Sequence, residues 1–338
     1  MEQWIKKAPK AVLHDHLDGG LRVSTLIDLA NKQNYKKLPK KNPEELLKWI
    51  EPKPNKSLAL NLEAWDHTIA VMQDENSLYR VTMEALEDLA NDGVVYAELR
   101  FAPLVHCQKN LNPSQVVESV MNGIRDGSKK FEILAGTILC AMRQDTNSKS
   151  VVELCIKHND IIGFDLAGPE VGFSALNHKD ACNLASKNGV NLTIHADWEV
   201  SNGIKEVVID LKSKRIGHGS QIINDFEIIN GEIKFKSKAA KYVHKYQIPL
   251  EICPTSNIQC GAYSNMQNHS FGKLYNANFN VTINTDNRLM SNITMSEEIE
   301  NVVKFFDLDQ RDINKITKKT IEAGFCNENK RLSLIERI

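Results

Sequence analysis

Eight short apolar runs recur along this chain, and they constrain its fold more than any other feature. Each run is almost continuously apolar and ends abruptly in polar residues or glycine, which is typical of strands covered on both faces. The runs are Ala11–His16, Val94–Arg100, Ile133–Met142, Ile161–Ala167, Val190–His195, Arg215–His218, Ile248–Cys253 and Asn280–Asn284. Segments with helical spacing lie between them, as in Glu75–Asn91, where apolar residues recur three and four positions apart.

This alternation predicts an α/β architecture. Strands that alternate with helices pair in parallel through right-handed crossovers, and eight such units close most simply into a (β/α)8 TIM-type barrel. The stretch from about 21 to 93 is too long for one connection and contains several helical patterns, so we predict an inserted helical cap after the first strand. From about Ser296 to Ile338 we expect extra helices that close the barrel. We find no linker, and we expect a single domain over residues 1–338.

Composition narrows the class of protein. The net charge of −1 argues against a dominant basic surface for nucleic acid or for an anionic membrane. No apolar stretch approaches the 18 residues of a membrane span, and the N-terminus lacks the apolar core of a secretory signal. The seven cysteines are odd in number and include no CxxC pair. These features favour a reduced, cytoplasmic protein.

Side chains suited to metal binding stand at the ends of several predicted strands, where barrel enzymes carry their catalytic groups. They are His14, His16, Asp165, His195, His218 and Asp286. His14 and His16 are two residues apart on one strand, so both point to the same face and could share one ion. With His195 and Asp286 they form a set of three imidazoles and one carboxylate. This set suits one Zn²⁺ ion, although ligand type alone also admits iron, manganese or cobalt.

Each of these signals taken singly also has an ordinary structural explanation. A His-x-His can be polar surface, His195 a hydrogen-bonded core histidine, and Asp286 a turn residue. Their coincidence at strand ends favours the metal site. His218, framed by two glycines, would then act as a base or as a group that positions water. Glu98 and Arg100 alternate with apolar residues of the second strand, and we interpret them as an ion pair inside the barrel.

Six motifs, in chain order, resemble those of the adenosine deaminase family, a branch of the amidohydrolase superfamily. They are His14–Gly20, Gly163–Glu170, Ile194–Ala196, Arg215–Gly219, Glu251–Asn257 and Asn284–Asn287. The resemblance extends from about residue 8 to the C-terminal helices. It implies a (β/α)8 barrel with one zinc ion that hydrolyses the exocyclic amine of an adenine ring, giving an inosine-type product and ammonia.

The resemblance also implies roles for individual residues. His14, His16, His195 and Asp286 resemble the metal ligands, and His218 the histidine that orients or deprotonates the attacking water. His16, Asp18, Gly168 and Asn287 fall at substrate-binding positions. The Gly168 amide would donate to ring N3, and the Asn287 amide would donate to N7 where many relatives carry aspartate. Asp18 would hold a ribose hydroxyl, and because free-base adenine deaminases tend to carry glutamate there, a purine nucleoside is the expected substrate.

One motif departs from the family pattern. The family's fifth strand ends His-Ala-Gly-Glu, whose glutamate protonates ring N1, whereas this chain reads His195-Ala-Asp-Trp-Glu199. In a gapless match Trp198 takes the acid's place, and an indole cannot give up its proton at neutral pH. Either one extra residue brings Glu199 to that place as a catalytic acid, or Trp198 faces the pocket. In the second case, the substrate needs no such acid or the proton comes from Asp197.

Three functions follow from this sequence. The first is zinc-dependent deamination of adenosine or a related adenine nucleoside. The second, motivated by Trp198, is a metal hydrolase of the same architecture that acts on a different aminated heterocycle. The third is a catalytically silent purine-binding barrel, which the complete metal set and His218 argue against because a pure binder needs neither.

Overall fold

Eight parallel strands surrounded by helices form the centre of the molecule. A computed structural model describes residues 2–51, 58–197, 202–336 and 338, without the side chains of 58–62. The strands in these ranges are β1 (Lys10–His16), β2 (Val94–Phe101), β3 (Leu134–Met142), β4 (Ile161–Ala167), β5 (Asn191–His195), β6 (Arg215–Gly217), β7 (Phe226–Ile229), β8 (Glu232–Phe235), β9 (Leu250–Ile252) and β10 (Val281–Ile283). The eight barrel strands each lie within one residue or two of a predicted apolar run.

The barrel closes between its first and last strands. The strand order is β1-β2-β3-β4-β5-β6-β9-β10, with parallel pairing throughout. Beyond the end of β10, the Asp286 N–H donates to the His14 carbonyl over 3.0 Å, and the His16 N–H donates to the Asp286 carbonyl over 2.7 Å. This seam confirms the predicted (β/α)8 barrel and brings three candidate metal ligands together through backbone bonds alone.

Helices fill the connections between strands and both ends of the chain. Those before and after β1 are α1 (Gln3–Lys7), α2 (Val23–Lys32), α3 (Pro43–Ile50), α4 (Leu58–Val71) and α5 (Glu75–Asn91). Those in the later connections are α6 (Pro113–Phe131), α7 (Ser148–Lys157), α8 (Lys179–Lys187), α9 (Gly203–Lys205), α10 (Lys238–Tyr246), α11 (Pro254–Gln259) and α12 (Phe271–Asn276). After β10 come α13 (Arg288–Ser291), α14 (Met295–Phe306), α15 (Gln310–Glu322) and α16 (Glu328–Ile335), which include the expected C-terminal helices.

Local sequence explains where the longer helices begin. At α6 the Asn112 side chain accepts the Gln115 backbone N–H while the Gln115 side chain accepts the Asn112 N–H, and Pro113 occupies the first turn. Thr294 and Glu297 form the same reciprocal pair at α14. Such caps satisfy backbone donors that a helix start leaves free, and each contributes about 1 kcal/mol.

The antiparallel hairpin β7–β8 is an element that our eight-run pattern did not predict. It lies in the connection between β6 and β9 and turns at Asn230 and Gly231, which both adopt positive φ, 53° and 82°. An Asn-Gly pair between short alternating segments is a strong hairpin signal because both turn positions need this backbone conformation. The hairpin strands are largely exposed, so they lack the continuous apolar run that marks the barrel strands.

The core lies between the outer face of the barrel and the helices, and several cysteines belong to it. Cys140, Cys155 and Cys253 are buried, and all seven cysteines are free thiols. Within the described part of the chain, no helix combines the length and apolar character needed to cross a membrane.

Candidate active site

Four side chains converge at the carboxyl ends of three barrel strands. His14 and His16 come from β1, His195 from β5, and Asp286 follows β10, and all four are buried. One ligand atom from each lies within 4.8 Å of the others. Asp286 Oδ1 is 3.3 Å from His14 Nε2 and 3.5 Å from His16 Nε2, and His16 Nε2 is 3.4 Å from His195 Nε2. The structure thus brings together the ligand set that the sequence predicts.

Two buried carboxylates orient the histidines of this cluster. Glu251 Oε2 lies 3.0 Å from His14 Nδ1, and Asp165 Oδ2 lies 3.0 Å from His195 Nδ1. A carboxylate at Nδ1 leaves Nε2 free to bind a metal and makes it more basic. Burial alone would lower the pKa of His14, but Asp286 and Glu251 raise it overall. The carboxylates beside His14 therefore favour a positive charge at this ring.

Arg100 binds both of the carboxylates that orient the histidines, Asp165 and Glu251. Its guanidinium donates to Asp165 Oδ2 over 2.9 Å and to Glu251 Oε2 over 2.7 Å, and all three side chains are buried. Although burial would raise the pKa of Glu251, the charges of Arg100 and Arg215 hold that pKa well below its usual range. His195 and Arg100 likewise hold the pKa of Asp165 well below its usual range against the effect of burial, so both carboxylates stay ionised behind the histidines.

The interpretation of Glu98 and Arg100 as partners of one another is wrong. Glu98 accepts instead from Arg215 over 2.6 Å, while Arg100 bonds to Asp165 and Glu251. Residues two apart on a strand project to the same side, but at different heights in the barrel. Each therefore meets charged side chains of other strands at its own level.

Asp286 adopts a backbone conformation that few residues accept. Its φ is +59°, in the left-handed region, which costs about 1–3 kcal/mol for a residue other than glycine and is concentrated at functional sites. Ser256 Oγ donates to Asp286 Oδ2 over 2.6 Å. Burial would raise the pKa of this carboxyl, but the adjacent imidazoles of His14 and His218 hold it well below its usual range. Asp286 is thus an ionised and positioned carboxylate.

His218 leaves β6 in the same left-handed conformation, with φ of +58°. The preceding Gly217 allows β6 to lie close to β5, since a Cβ there would lie 2.9 Å from the His195 Cα. His218 Nε2 is 3.9 Å from Asp286 Oδ2, so the ring faces the metal cluster without joining its four ligands. Burial lowers the pKa of His218 to about 3, and the ring is neutral near pH 7.

The segment that would carry the catalytic acid lies outside the described residues. Trp198 and Glu199 both fall there. Asp197, the last described residue before it, is buried and accepts hydrogen bonds from Ser220 Oγ and the Gln221 N–H, each over 2.8 Å. Burial raises the pKa of Asp197 to about 7.

Asp18 presents a carboxylate oxygen without a hydrogen-bond partner in the described part of the chain. The side chain is buried at the end of β1, and Oδ1 is this free atom. His106 Nε2 lies 3.4 Å from the other oxygen, and the opposite ring nitrogen of His106 is 3.1 Å from the Met72 carbonyl. The His106 ring therefore lies beside one oxygen of Asp18, and the other oxygen is left for an outside donor.

Asn287 and Gly168, the two other residues expected to contact the substrate, also lie just after barrel strands. A Cβ on Gly19, next to Asp18, would lie 2.3 Å from Asn287 Oδ1, so this glycine allows the amide to approach the backbone. Gly168 follows β4 with φ of +92°, a conformation that favours glycine. Trp65 of α4 stands edge-on to His16 with ring centroids 5.6 Å apart, so the helical segment between β1 and β2 also reaches the site.

Comparison with known proteins identifies the family of this chain. Residues 9–338 match the adenosine deaminase family. An adenosine deaminase of Mycobacterium ulcerans (strain Agy99) is 38% identical, with 99% of this chain and 95% of that protein aligned. The chain belongs to the adenosine deaminase family. It is therefore a hydrolase that acts on C–N bonds, and its buried His/Asp cluster accords with the metal dependence of this family.

Two solved structures share the fold of this family member. An N6-mAMP deaminase of arabidopsis is 26% identical with a TM-score of 0.85, and the match covers 100% of both chains. An adenine deaminase from Arthrobacter aurescens is 23% identical with a TM-score of 0.88 and 97% of both chains covered, a likeness that concerns the fold alone.

Sequence reasoning missed the supporting residues of this deaminase site. Asp165 and the Glu251–Asn257 motif attracted attention, but their roles as partners of His195, His14, His218 and Asp286 appear only in the structure. A charged residue within an otherwise apolar strand is the signal that places Asp165, Glu251 and Arg100 inside the barrel. Such a charge needs a buried partner, although the sequence does not say which.

Glu298 supports the helix that carries Ser256 and Asn257. It is buried on α14, accepts the Thr255 N–H over 2.7 Å and also accepts the Thr255 hydroxyl. Burial raises the pKa of Glu298 to about 7 from an ordinary value of 4.5. Because the folded-state pKa is the higher one, this group contributes stability below pH 4.5 that is lost as the pH rises through 7.

We therefore expect Glu298→Gln to stabilise the protein at alkaline pH. The glutamine keeps an acceptor for the Thr255 N–H and removes the buried charge. The free energy of unfolding should exceed that of the wild type by up to about 3 kcal/mol at pH 8 and approach it at pH 5. Urea unfolding at both pH values measures this difference, and an equal effect at pH 5 and pH 8 would contradict it.

Proposed function

We propose that this chain catalyses the metal-dependent, hydrolytic deamination of adenosine or a closely related adenine nucleoside. The observation that carries the proposal is the free oxygen of buried Asp18 at the end of β1, the strand that also carries His14 and His16. A carboxylate there suits a donor such as a sugar hydroxyl beside the ring that reacts at the metal. The names of the curated relatives, adenosine deaminases, support the same substrate.

The proposed metal is one Zn²⁺ ion held by His14, His16, His195 and Asp286. The residues fit this ion, since their ligand atoms lie within 4.8 Å of one another and carboxylates occupy Nδ1 of two of the imidazoles. When bound, such an ion would lower the pKa of water and so supply a nucleophile at neutral pH.

The chain's own residues would place the purine and move the protons. Asp286, ionised and held by Ser256, is the proposed acceptor of the proton of the attacking water. It would return this proton to the exocyclic amine, so that the C6–N bond breaks and ammonia leaves. The proton of the new hydroxyl would return to the acid that protonates N1 as the C6 carbonyl forms. The Gly168 N–H would donate to ring N3 and the Asn287 amide to N7, while Asp18 accepts from the ribose. His16 would also contact the substrate, and His218 would act on the attacking water.

Glu199 is the proposed acid for ring N1. Hydroxide addition at C6 places negative charge on the ring, and a proton donor must neutralise it. Asp197 is less suited to this task because Ser220, Gln221 and Asn257 already donate to its two oxygens. A carboxyl on the segment that follows it supplies the donor instead.

A nucleoside is favoured over a nucleotide by charge. A free Asp18 oxygen attracts a hydroxyl donor and repels a phosphate dianion. Two competing functions are hydrolysis of a different aminated heterocycle and purine binding without turnover. The assay below distinguishes both from adenosine deamination.

Ammonia release by zinc-loaded protein tests this proposal. We expect adenosine and 2′-deoxyadenosine to give higher kcat/KM than adenine or AMP. They should also exceed N6-methyl-AMP, whose turnover is followed by methylamine release because methylamine is its leaving group. Asp18→Ala should lower kcat/KM for adenosine by about 10–100-fold, the worth of a charged hydrogen bond, with adenine as the matched control that lacks the sugar.

Other outcomes of the same assay would contradict the proposal. Faster turnover of another heterocycle would favour the second function, and tight adenosine binding without ammonia release would favour the silent barrel. If Glu199→Gln releases ammonia as fast as the wild type, the acid assignment is wrong.

A further inference from the structure

Asn257 joins three buried side chains behind the active site. Its Nδ2 lies 3.2 Å from His218 Nδ1 and 3.1 Å from Asp197 Oδ2, and its Oδ1 lies 3.2 Å from His269 Nε2. Asn257, Asp197, His218 and His269 are each less than 5% exposed. His269 has no part in the proposed reaction, so its burial beside Asn257 calls for another explanation.

The direction of this chain of hydrogen bonds follows from a backbone amide. The Phe271 N–H lies 3.0 Å from His269 Nδ1, and a backbone N–H can only donate, so Nδ1 is an acceptor. Burial lowers the pKa of His269 to about 3, which makes the ring neutral. Its one proton must then be on Nε2, which donates to Asn257 Oδ1.

Asp197 requires the same orientation of the Asn257 amide. With Oδ1 turned toward His269, the NH₂ group faces the Asp197 carboxylate and the His218 ring. One of its hydrogens reaches Asp197 Oδ2 and the other reaches His218 Nδ1. A flipped amide would set its oxygen against the carboxylate and its NH₂ against the His269 N–H, and would lose both bonds.

We propose that Asn257 is a positioning residue that holds His218 as the Nε2–H tautomer, so that His218 offers a hydrogen-bond donor, not a proton acceptor, to the reacting water. The lone pair of Nδ1 is occupied by the Asn257 amide. The single proton of the neutral ring therefore lies on Nε2, the nitrogen that faces Asp286. The choice between base and water-positioning group, which the sequence leaves open, is thereby decided in favour of the second.

The catalytic role inferred for His218 rests on the proposed function. The tautomer of its ring follows from the hydrogen bonds alone. If His218 donates to the oxygen of the attacking water, the water proton goes to the Asp286 carboxylate. His218 then stabilises the negative charge that develops on that oxygen. His269 acts indirectly, by orienting the amide of Asn257.

Nitrogen NMR of histidine-labelled, zinc-loaded protein tests the tautomer without any substrate. Ring nitrogens with and without a proton differ in ¹⁵N shift, and the His218 signals are identified by their loss in His218→Gln. We expect the wild type to show a proton on Nε2 of His218. Asn257→Asp should move it to Nδ1, because a carboxylate there can only accept.

Asn257→Asp places two carboxylates side by side and could misfold. A second variant therefore tests the same tautomer change without that charge repulsion. Asp197→Asn/Asn257→Asp exchanges the two groups and keeps one carboxylate between them. It should also give the Nδ1–H tautomer, with kcat for adenosine lowered about 10–100-fold and KM changed by less than about threefold. Ser220→Ala removes a hydrogen bond to Asp197 without altering Asn257, and it should retain the wild-type tautomer.

The outcomes separate this inference from the proposed function. A proton on Nδ1 of His218 in the wild type, or on Nε2 in the exchange variant, would overturn the inference whatever the substrate. If the tautomers are as expected and adenosine releases no ammonia, the proposed function fails while the role of Asn257 in setting the His218 tautomer stands.

Discussion

Replacing Asp286 with alanine is expected to lower kcat for deamination by at least about 10⁴-fold and to reduce bound zinc below one ion per chain. The residue is both a proposed ligand and the proposed proton acceptor, and its ligand oxygen lies within 3.5 Å of two histidine nitrogens. Without the metal, the pKa of water stays far above neutral pH, so hydroxide is rarer by many orders of magnitude. Elemental analysis and ammonia release measure the two effects.

Asp15→Asn is the matched control for this experiment. Asp15 is a buried carboxylate on the same seam, but its Oδ2 accepts from Arg288 Nε over 2.6 Å and from Thr285 Oγ1 over 3.0 Å, outside the metal cluster. Asparagine retains one oxygen for these donors, so zinc stoichiometry should stay at one. Full zinc content and activity in Asp286→Ala would contradict the proposed ligand set.

Replacing Arg100 with methionine is expected to be the most destabilising change inside the barrel. It removes the cation that lies between Asp165 and Glu251 and leaves buried carboxylates without adequate compensation. Breaking a buried pair in this way costs about 3–5 kcal/mol in the free energy of unfolding. Zinc affinity should fall by about 10–100-fold, since the two carboxylates orient His14 and His195.

Arg22→Met provides the comparison for this loss. Arg22 also pairs with two acidic residues, Glu87 and Asp88, but its side chain is 33% exposed. Solvent-exposed pairs contribute about 0–1 kcal/mol, so this variant should unfold close to the wild type. Urea unfolding and competitive zinc titration of both variants test the contrast, and equal losses of stability would contradict it.

Much of the barrel was predictable because burial leaves a mark in the sequence. A strand covered on both faces must be apolar along its length, and the runs at β1 to β6, β9 and β10 show this. The apolar-run pattern did not predict the hairpin β7–β8 because its strands are exposed, although Asn230-Gly231 is a usable turn signal. The sequence marks Glu98 and Arg100 as buried charges but does not identify their partners. Spacing along one strand does not show which charged side chains of the other strands lie at the same level in the barrel.

The amino-acid order by itself determined the barrel, the family and the identity of the four ligand-type side chains at strand ends, since these depend on periodicity and on residue chemistry. Tertiary structure alone decided which carboxylate meets which imidazole, and hence which nitrogen holds a proton. His14 meets Glu251 across 237 residues of chain, and His218 meets Asn257 across 39. Such pairings depend on how separate strands and helices approach one another, which only closure of the barrel sets.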